Sequence, residues 1–300
     1  MNSVSKYFLA TRPAFLFITL LGSFIGIAIP SASKASFSIN FLALCIALFA
    51  HSGGNLLNDY FDHLNGSDKH NKDRITPFTG GSRFIQDKLL KPKAVFHFGV
   101  VLIGLSTALG LYICARTTWE LISIGIIGVA IAWSYSAPPL HLMSRGVVGE
   151  IAIAIAWSLV VIGFASIQID SMAYKAAPIG LAYGLMVSNI LLVNQIPDTH
   201  ADMLANKMTL ATRTNSITLS YWYIGIFIAA YAFQIAGILM GLIPKETVFT
   251  LLALPIFAYC SKKIALVNNE RGKIKQSIVL NLIAIHLYSL LLLIGLLLFR

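Results

Sequence analysis

Charge is scarce in this chain. Only 11% of its 300 residues are Asp, Glu, Lys or Arg, where a soluble domain carries ~25%. The set AVILMFWYC makes up 57%, and the mean hydropathy is +0.78. A soluble core of this length cannot absorb so much apolar surface, which excludes an ordinary pair of soluble domains. Cysteine is almost missing. Cys45, Cys114 and Cys260 each lie inside an apolar run, which excludes a disulfide framework and a cysteine-based metal site. No stretch has the composition of a linker or a low-complexity tract, and none alternates as a barrel strand does. The chain reads as an all-α polytopic membrane protein.

A hydrocarbon core takes ~20 apolar residues per helix. Nine spans meet that measure, at 14–30, 37–57, 94–115, 118–137, 147–168, 174–196, 217–241, 247–265 and 277–299. They predict one transmembrane unit over residues 1–300. Lys6 and Arg12 before a short apolar run, with Ala32-Ser33-Lys34-Ala35 after it, imitate a signal peptide. The membrane-embedded remainder makes that run a first span instead. Assigned to sides by span parity, Lys34, Arg116, Lys175, Lys245 and Arg300 stand on one side and the other 17 of the 22 basic residues on the opposite one. By the positive-inside rule, the N-terminus and the loops after spans two, four, six and eight face the cytoplasm. The net charge of +10 is then topological, with phosphate as a fitting anion; it does not point to nucleic acid.

The twelve acidic residues are placed unevenly. Asp59, Asp62, Asp68, Asp73 and Asp87 follow span two, and Asp198 and Asp202 follow span six, so seven gather at two places on the cytoplasmic side. Residues three and four apart share a helix face. If both spans stay helical, Asn55, Asp59 and Asp62 line one stripe and Asn194, Asp198 and Asp202 another, with Pro197 a candidate break in the second. A carboxylate near the hydrocarbon boundary is costly and usually faces an interior cavity with a partner. Oxygen clusters of this kind suit Mg²⁺, which takes one or two carboxylates per site together with substrate phosphates. Two facing clusters would hold a pair of ions bridged by a diphosphate. Lys72, Arg74, Arg83, Lys207 and Arg213 would reach its remaining oxygens. One Asp-x-x-Asp at a membrane surface is most often a solvated helix end. Two clusters, each with an Asn four residues before its first Asp and both on one side, are hard to read that way.

Asn58-Asp59-Tyr60-Phe61-Asp62 followed by Asp68, with Asp198-Thr199-His200-Ala201-Asp202 later, resembles the paired acidic motifs of the UbiA superfamily of intramembrane aromatic prenyltransferases. The likeness runs over essentially the whole chain. Tyr135-Ser136-Ala137-Pro138-Pro139-Leu140 looks like the superfamily's Tyr-Ser-x-Pro-Pro segment, and Arg145-Gly146-Val147-Val148-Gly149-Glu150 like its Arg-Gly-x-Gly-Glu run with one extra residue. His141 and Met143 depart from the basic residues common there, and Asn206 from the glycine that often precedes the lysine matching Lys207.

The resemblance implies a bundle of about nine helices around a central cavity. It implies transfer of an isoprenoid chain from a prenyl diphosphate to an aromatic or other acceptor, with Mg²⁺ as cofactor. Asp59, Asp62, Asp198 and Asp202 are the expected metal and diphosphate ligands, with Asn55 and Asn194 as polar support and Asp68 in second rank. Arg74, Lys207 and Arg213 are candidate phosphate ligands, each equally readable as positive-inside charge. Tyr135 is a candidate to position the acceptor or to face a cation with its ring, and equally an interfacial tyrosine.

Within the superfamily, Gly66-Ser67-Asp68 and the run Arg74-Ile75-Thr76-Pro77-Phe78-Thr79-Gly80-Gly81-Ser82-Arg83 look closer to 1,4-dihydroxy-2-naphthoate polyprenyltransferases of menaquinone synthesis than to haem O or chlorophyll synthases. That likeness implies a bacterial inner membrane. 4-Hydroxybenzoate, homogentisate and a glycerol phosphate lipid stay open as acceptors. A secondary transporter stays open as another class, although transporters hold their carboxylates near the midplane. His51 and His286 read as packing residues, and Gly53-Gly54 as a close helix approach.

Overall fold

The computed structural model describes residues 2–30, 33–267 and 270–298. Ala32 of the signal-peptide-like stretch, residue 299 of the last span and Arg300 lie outside them. The helices are α1 Ser3–Ala10, α2 Pro13–Ala28, α3 Phe37–Asn65, α4 Ser67–His70, α5 Pro92–Arg116, α6 Leu121–Ser134, α7 Val148–Ile169, α8 Ala177–Asn194, α9 Thr199–Leu204, α10 Leu210–Arg213, α11 Ser216–Leu239, α12 Leu254–Ala265 and α13 Arg271–Leu298. A 3-10 segment, Lys245–Ala253, leads directly into α12. Two short strands, β1 Arg145–Gly146 and β2 Met208–Thr209, pair in parallel with Arg145 opposite Met208.

Among the described residues, seven helical stretches are long and apolar enough to cross a bilayer, and α1 with α2, bent by 57°, makes an eighth. The protein is a polytopic membrane protein. The fourth expected span is the exception. As α6 it has 14 residues, about 21 Å of helix, short of a hydrocarbon core of about 30 Å. Pro138 and Pro139 follow four residues after its end, where a helix cannot continue.

The 29 residues of α3 reach about 44 Å, so its polar last turns project past the hydrocarbon. Ser36 Oγ accepts from Ile39 N at 3.3 Å at its start, and Gly66, at φ 86°, turns the chain out of it. The second expected stripe is not continuous. α8 stops at Asn194, turns occupy 195–198, and α9 begins at Thr199. Pro197 has no N–H to give a continuing helix, so Asn194 and the pair Asp198 and Asp202 stand on different elements.

α3 packs on α5, α7 on α8, α8 on α11, and α13 on both α12 and the 3-10 segment. A Cβ on Gly53 would lie 2.9 Å from Gly99 O, and one on Gly184 only 2.0 Å from Ala154 O. These crossings are backbone against backbone, the usual reason for small residues in membrane helices. Gly54 does not share in the approach expected of the pair; it has open space about it and faces the cavity.

Candidate active site

A cavity of about 760 Å³ opens between α2, α3, α5, α6, α7 and α8, within the range of about 300–1,000 Å³ usual for ligand sites. Its depth is apolar, walled by residues such as Ala43, Ile46, Ile113, Val129, Val160 and Phe164. Its other end is polar and carries Asn58, Asp62, Asp68, Asp198 and Asp202.

Three elements bring these groups together. The end of α3 carries Asp59 and Asp62, α4 carries Asp68, and the start of α9 carries Asp198 and Asp202. The loop after α4 then folds over them. Asn71 Nδ2 donates to Asp198 Oδ1 at 2.7 Å, and Gly80 N to Asp198 Oδ2 at 3.3 Å. Ser82 N donates to Asp59 Oδ2 at 3.1 Å, joined by the Ser82 hydroxyl. Gln86 Nε2 donates to Asp68 Oδ2 at 2.9 Å, and Ser67 Oγ to Asp202 Oδ1 at 2.6 Å. Gly81, at φ 72°, lies so close that a Cβ there would stand 2.9 Å from Asp68 Oδ2 and 3.1 Å from Asp59 Oδ1. Glycine is required on both counts, backbone and space.

Two cations hold the carboxylates. Arg12, at the break between α1 and α2, pairs with Asp59. Lys207 Nζ stands 3.0 Å from Asp62 Oδ2 and 3.5 Å from Asp202 Oδ1, joining the two acidic segments. Burial by itself lowers the Lys207 ammonium, but Asp62 and Asp202 more than reverse this and hold it above its ordinary value. Burial pushes Asp198 up to about 6, against the hydrogen bond from Asn71. Asp68 is pushed up to about 8, first by burial and then by the charges of Asp62 and Asp59. Asp202 is raised by burial, with Lys207 opposing.

Of the expected residues, Asn55, Asp62, Asp68, Tyr135, Asn194, Asp198, Asp202 and Lys207 line the cavity. Asp59 stands behind Arg12 and Ser82, off the wall. Asn55 spends its amide on Thr11 O at 2.9 Å, pinning the α1–α2 break. Asn194 Oδ1 and the Tyr135 hydroxyl are buried without a partner among the described residues. Arg74 and Arg213 are not on the cavity wall. Arg74 lies half-buried against Gly80, and Arg213 is exposed, its Nε donating to Met208 O at 3.1 Å. Sequence reasoning placed no site role on Arg12, Ser67, Asn71, Gly80, Gly81, Ser82 or Gln86. The adjacent glycines beside an acidic run were the one available signal. Asn206 adopts φ 54°, which explains an asparagine where a glycine is common, since both tolerate the left-handed region.

The donor set at the polar end is oxygen throughout, from four carboxylates on the cavity wall together with Asn58, Asn71 and Asn194. That chemistry fits a hard divalent cation. Asn71 Oδ1 and Asn194 Oδ1 are buried with no protein partner among the described residues. Among the described residues no three His, Cys, Asp or Glu side chains form a ready-made metal cluster. An ion here would complete its shell from substrate phosphate and water, as Mg²⁺ commonly does.

Residues 16–298 match the UbiA prenyltransferase family. The 1,4-dihydroxy-2-naphthoate octaprenyltransferase of Mycobacterium leprae (strain TN) is 29% identical over 189 residues, 63% of this chain and 62% of that protein. The match thus spans less than two thirds of that relative's length. The protein of the same name from Bacillus subtilis (strain 168) is 29% identical over 219 residues, 68% of each chain. A UbiA homolog from Archaeoglobus fulgidus bound to DMAPP and Mg²⁺ superposes with a TM-score of 0.62 over 96% of this chain and 99% of that one. Its 15% identity makes that a likeness of fold. With the family match running from the first long helix to the last, the chain belongs to the UbiA prenyltransferase family.

Proposed function

We propose that this enzyme transfers an isoprenoid chain from a prenyl diphosphate to an aromatic acceptor with the help of Mg²⁺, and that the acceptor is 1,4-dihydroxy-2-naphthoate, on the route to menaquinone. The observation that carries the reading is the convergence of acidic segments far apart in sequence at one polar end of an otherwise apolar, membrane-embedded cavity. A diphosphate fits the polar end and a hydrocarbon tail the depth. The two relatives named for naphthoate prenylation support the acceptor. Membership in a prenyltransferase family sets the transporter alternative aside.

Asp62, Asp68, Asp198 and Asp202 supply hard oxygens at the mouth, and Asp59 holds Arg12 beside them. Bound there, Mg²⁺ would neutralise the charge that builds on the departing diphosphate. Lys207 and Arg12 stand close enough to the carboxylates to serve the same charge as it forms. The allylic C–O bond breaks with its electron pair on the diphosphate, and a ring carbon of the acceptor forms the new C–C bond. That carbon then loses a proton, or its carboxylate as CO₂, to restore the aromatic ring. Tyr135, on the wall, is placed to turn its ring toward the allylic cation. The 71–91 loop covers the carboxylates and limits water. The basic excess on one side supports a cytoplasmic mouth, and the likeness to the two bacterial relatives supports a bacterial inner membrane, with residues 1–300 acting as one prenyltransferase unit.

The test is a radiolabelled prenyl diphosphate assay in membranes, with and without Mg²⁺, offering dihydroxynaphthoate, 4-hydroxybenzoate, homogentisate and a glycerol phosphate lipid in parallel. Mg²⁺-dependent product with dihydroxynaphthoate is expected. Product with another acceptor alone would move the enzyme to that branch, and transfer surviving both Asp59→Asn and Asp198→Asn would sink the assignment of the carboxylates.

A further inference from the structure

His51 stands on the cavity wall one turn of α3 before Asn55. It is eight residues from Asp59, about 12 Å along the helix axis. It therefore lies between the carboxylate mouth and the apolar depth. Two other helices fix its ring. Nδ1 is 2.8 Å from Thr19 Oγ1 on α2, and Trp157 on α7 meets it edge-on, with centroids 4.9 Å apart at 88°. Thr19 and Trp157 line the same cavity.

The contact with Thr19 decides the tautomer. Thr19 is buried, and its hydroxyl makes no other hydrogen bond among the described residues. Its proton therefore goes to Nδ1, and the neutral imidazole carries its own proton on Nε2. A neutral ring is also what a membrane-embedded wall tolerates. Among the described residues Nε2 has no protein partner, and it is not one of the sealed polar atoms, so its N–H is open to the cavity. Three helices thus hold one donor in an apolar surround.

We propose that His51 binds the acceptor, its Nε2–H donating to an oxygen substituent of the aromatic ring. The inference rests on the aromatic-acceptor reading above. Of the ligands that reading brings in, the isoprenoid tail has no hydrogen-bonding atom and the diphosphate belongs at the mouth. The acceptor is the one whose oxygens reach this depth. A ring held here lies beside the allylic carbon next to the diphosphate, where the C–C bond must form.

Equilibrium dialysis of radiolabelled 1,4-dihydroxy-2-naphthoate and, separately, of a prenyl diphosphate against the full chain in nanodiscs tests this. His51→Leu is expected to weaken acceptor binding about tenfold, the worth of one lost hydrogen bond, and to leave prenyl diphosphate binding unchanged. His51→Gln, which keeps an N–H at a similar reach, restores most of the affinity. Thr19→Val frees the tautomer and gives an intermediate loss. Equal acceptor affinity in wild type and His51→Leu would overturn the assignment. If His51→Leu lost both ligands, Thr19→Val would decide, and unchanged acceptor affinity there would overturn it as well. Wild-type protein that bound no 1,4-dihydroxy-2-naphthoate would bring down the function reading itself. Binding by wild type with no response at position 51 would bring down the His51 role alone.

Discussion

Lys207 and Asp62 are joined by two hydrogen bonds, of 3.0 and 3.1 Å, although 145 residues separate them. The bond ties the end of α3 to the turn between α9 and β2. That turn is held on its other side by Lys207 N, which donates to Asp202 O at 2.8 Å. The two acidic segments are therefore fixed against each other through one ammonium. The polar mouth is a preformed frame, with more carboxylates than its two cations, Arg12 and Lys207, neutralise.

Lys207→Met removes that ammonium. Asp62 and Asp202 would be left buried without a cation, and breaking a buried pair from one side costs about 3–5 kcal/mol. Thermal unfolding in detergent is expected at a clearly lower temperature. Prenyl transfer should fall by about 100-fold or more, the scale of a lost electrostatic stabiliser. Wild-type turnover in a folded Lys207→Met enzyme would show that the ammonium serves structure alone.

Arg213→Ala is the matching control. Arg213 is exposed, bonded to Met208 O and off the cavity wall. A surface substitution of this kind changes energies by about 0.5 kcal/mol or less, which is roughly a twofold change in rate. A large rise in the apparent KM for prenyl diphosphate would instead bring Arg213 into the site.

Gly81→Ala addresses the loop. An L-residue at φ 72° carries a conformational cost of about 1–2 kcal/mol. Its Cβ would also press on the carboxylates of Asp68 and Asp59 at 2.9 and 3.1 Å. The bundle should still fold, since the loop lies outside the helices. Transfer should fall about tenfold, with more Mg²⁺ needed for half-maximal activity, because a misplacement near the chemistry is costly. Unchanged Mg²⁺ dependence would mean that the loop takes no part in holding the carboxylates.

The helices were legible because a bilayer imposes one length and one polarity, which α3, α5, α7 and α13 satisfy along most of their course. The shortness of α6 was less so, since small and aromatic residues without charge, Tyr135, Ser136 and Ala137, follow the helix end. The acidic segments were legible from type and spacing, whereas their partners were not. Nothing local in Arg12 shows that a left-handed turn at φ 58° will bring it to an aspartate 47 residues away. Lys207 and Arg213 looked alike as basic residues after span six. Only the turn after α9 separates them, aiming one at Asp62 and leaving the other to solvent. Asn71 and Ser82 are ordinary loop residues until the chain folds back at Gly80 and Gly81.

The raised carboxyls give the site a pH dependence with a definite sign. Asp198 titrates at about 6 and Asp68 at about 8, chiefly because burial disfavours their charged forms. A divalent cation binds the ionised carboxylate, so binding must release whatever protons these groups still hold. Below about 6 both are protonated, between about 6 and 8 Asp198 is ionised and Asp68 mostly not, and above about 8 both are ionised. Mg²⁺ affinity should therefore rise with pH across that window and level off above it. Isothermal titration of Mg²⁺ into the full chain with a non-hydrolysable prenyl diphosphate analogue, at pH 5.5, 7 and 8.5 in buffers of different ionisation enthalpy, would read both the affinity and the protons released. Asp68→Asn should flatten the upper part of the profile and leave the lower part. A profile flat from 5.5 to 8.5 in the wild-type chain would mean that neither carboxyl meets the metal.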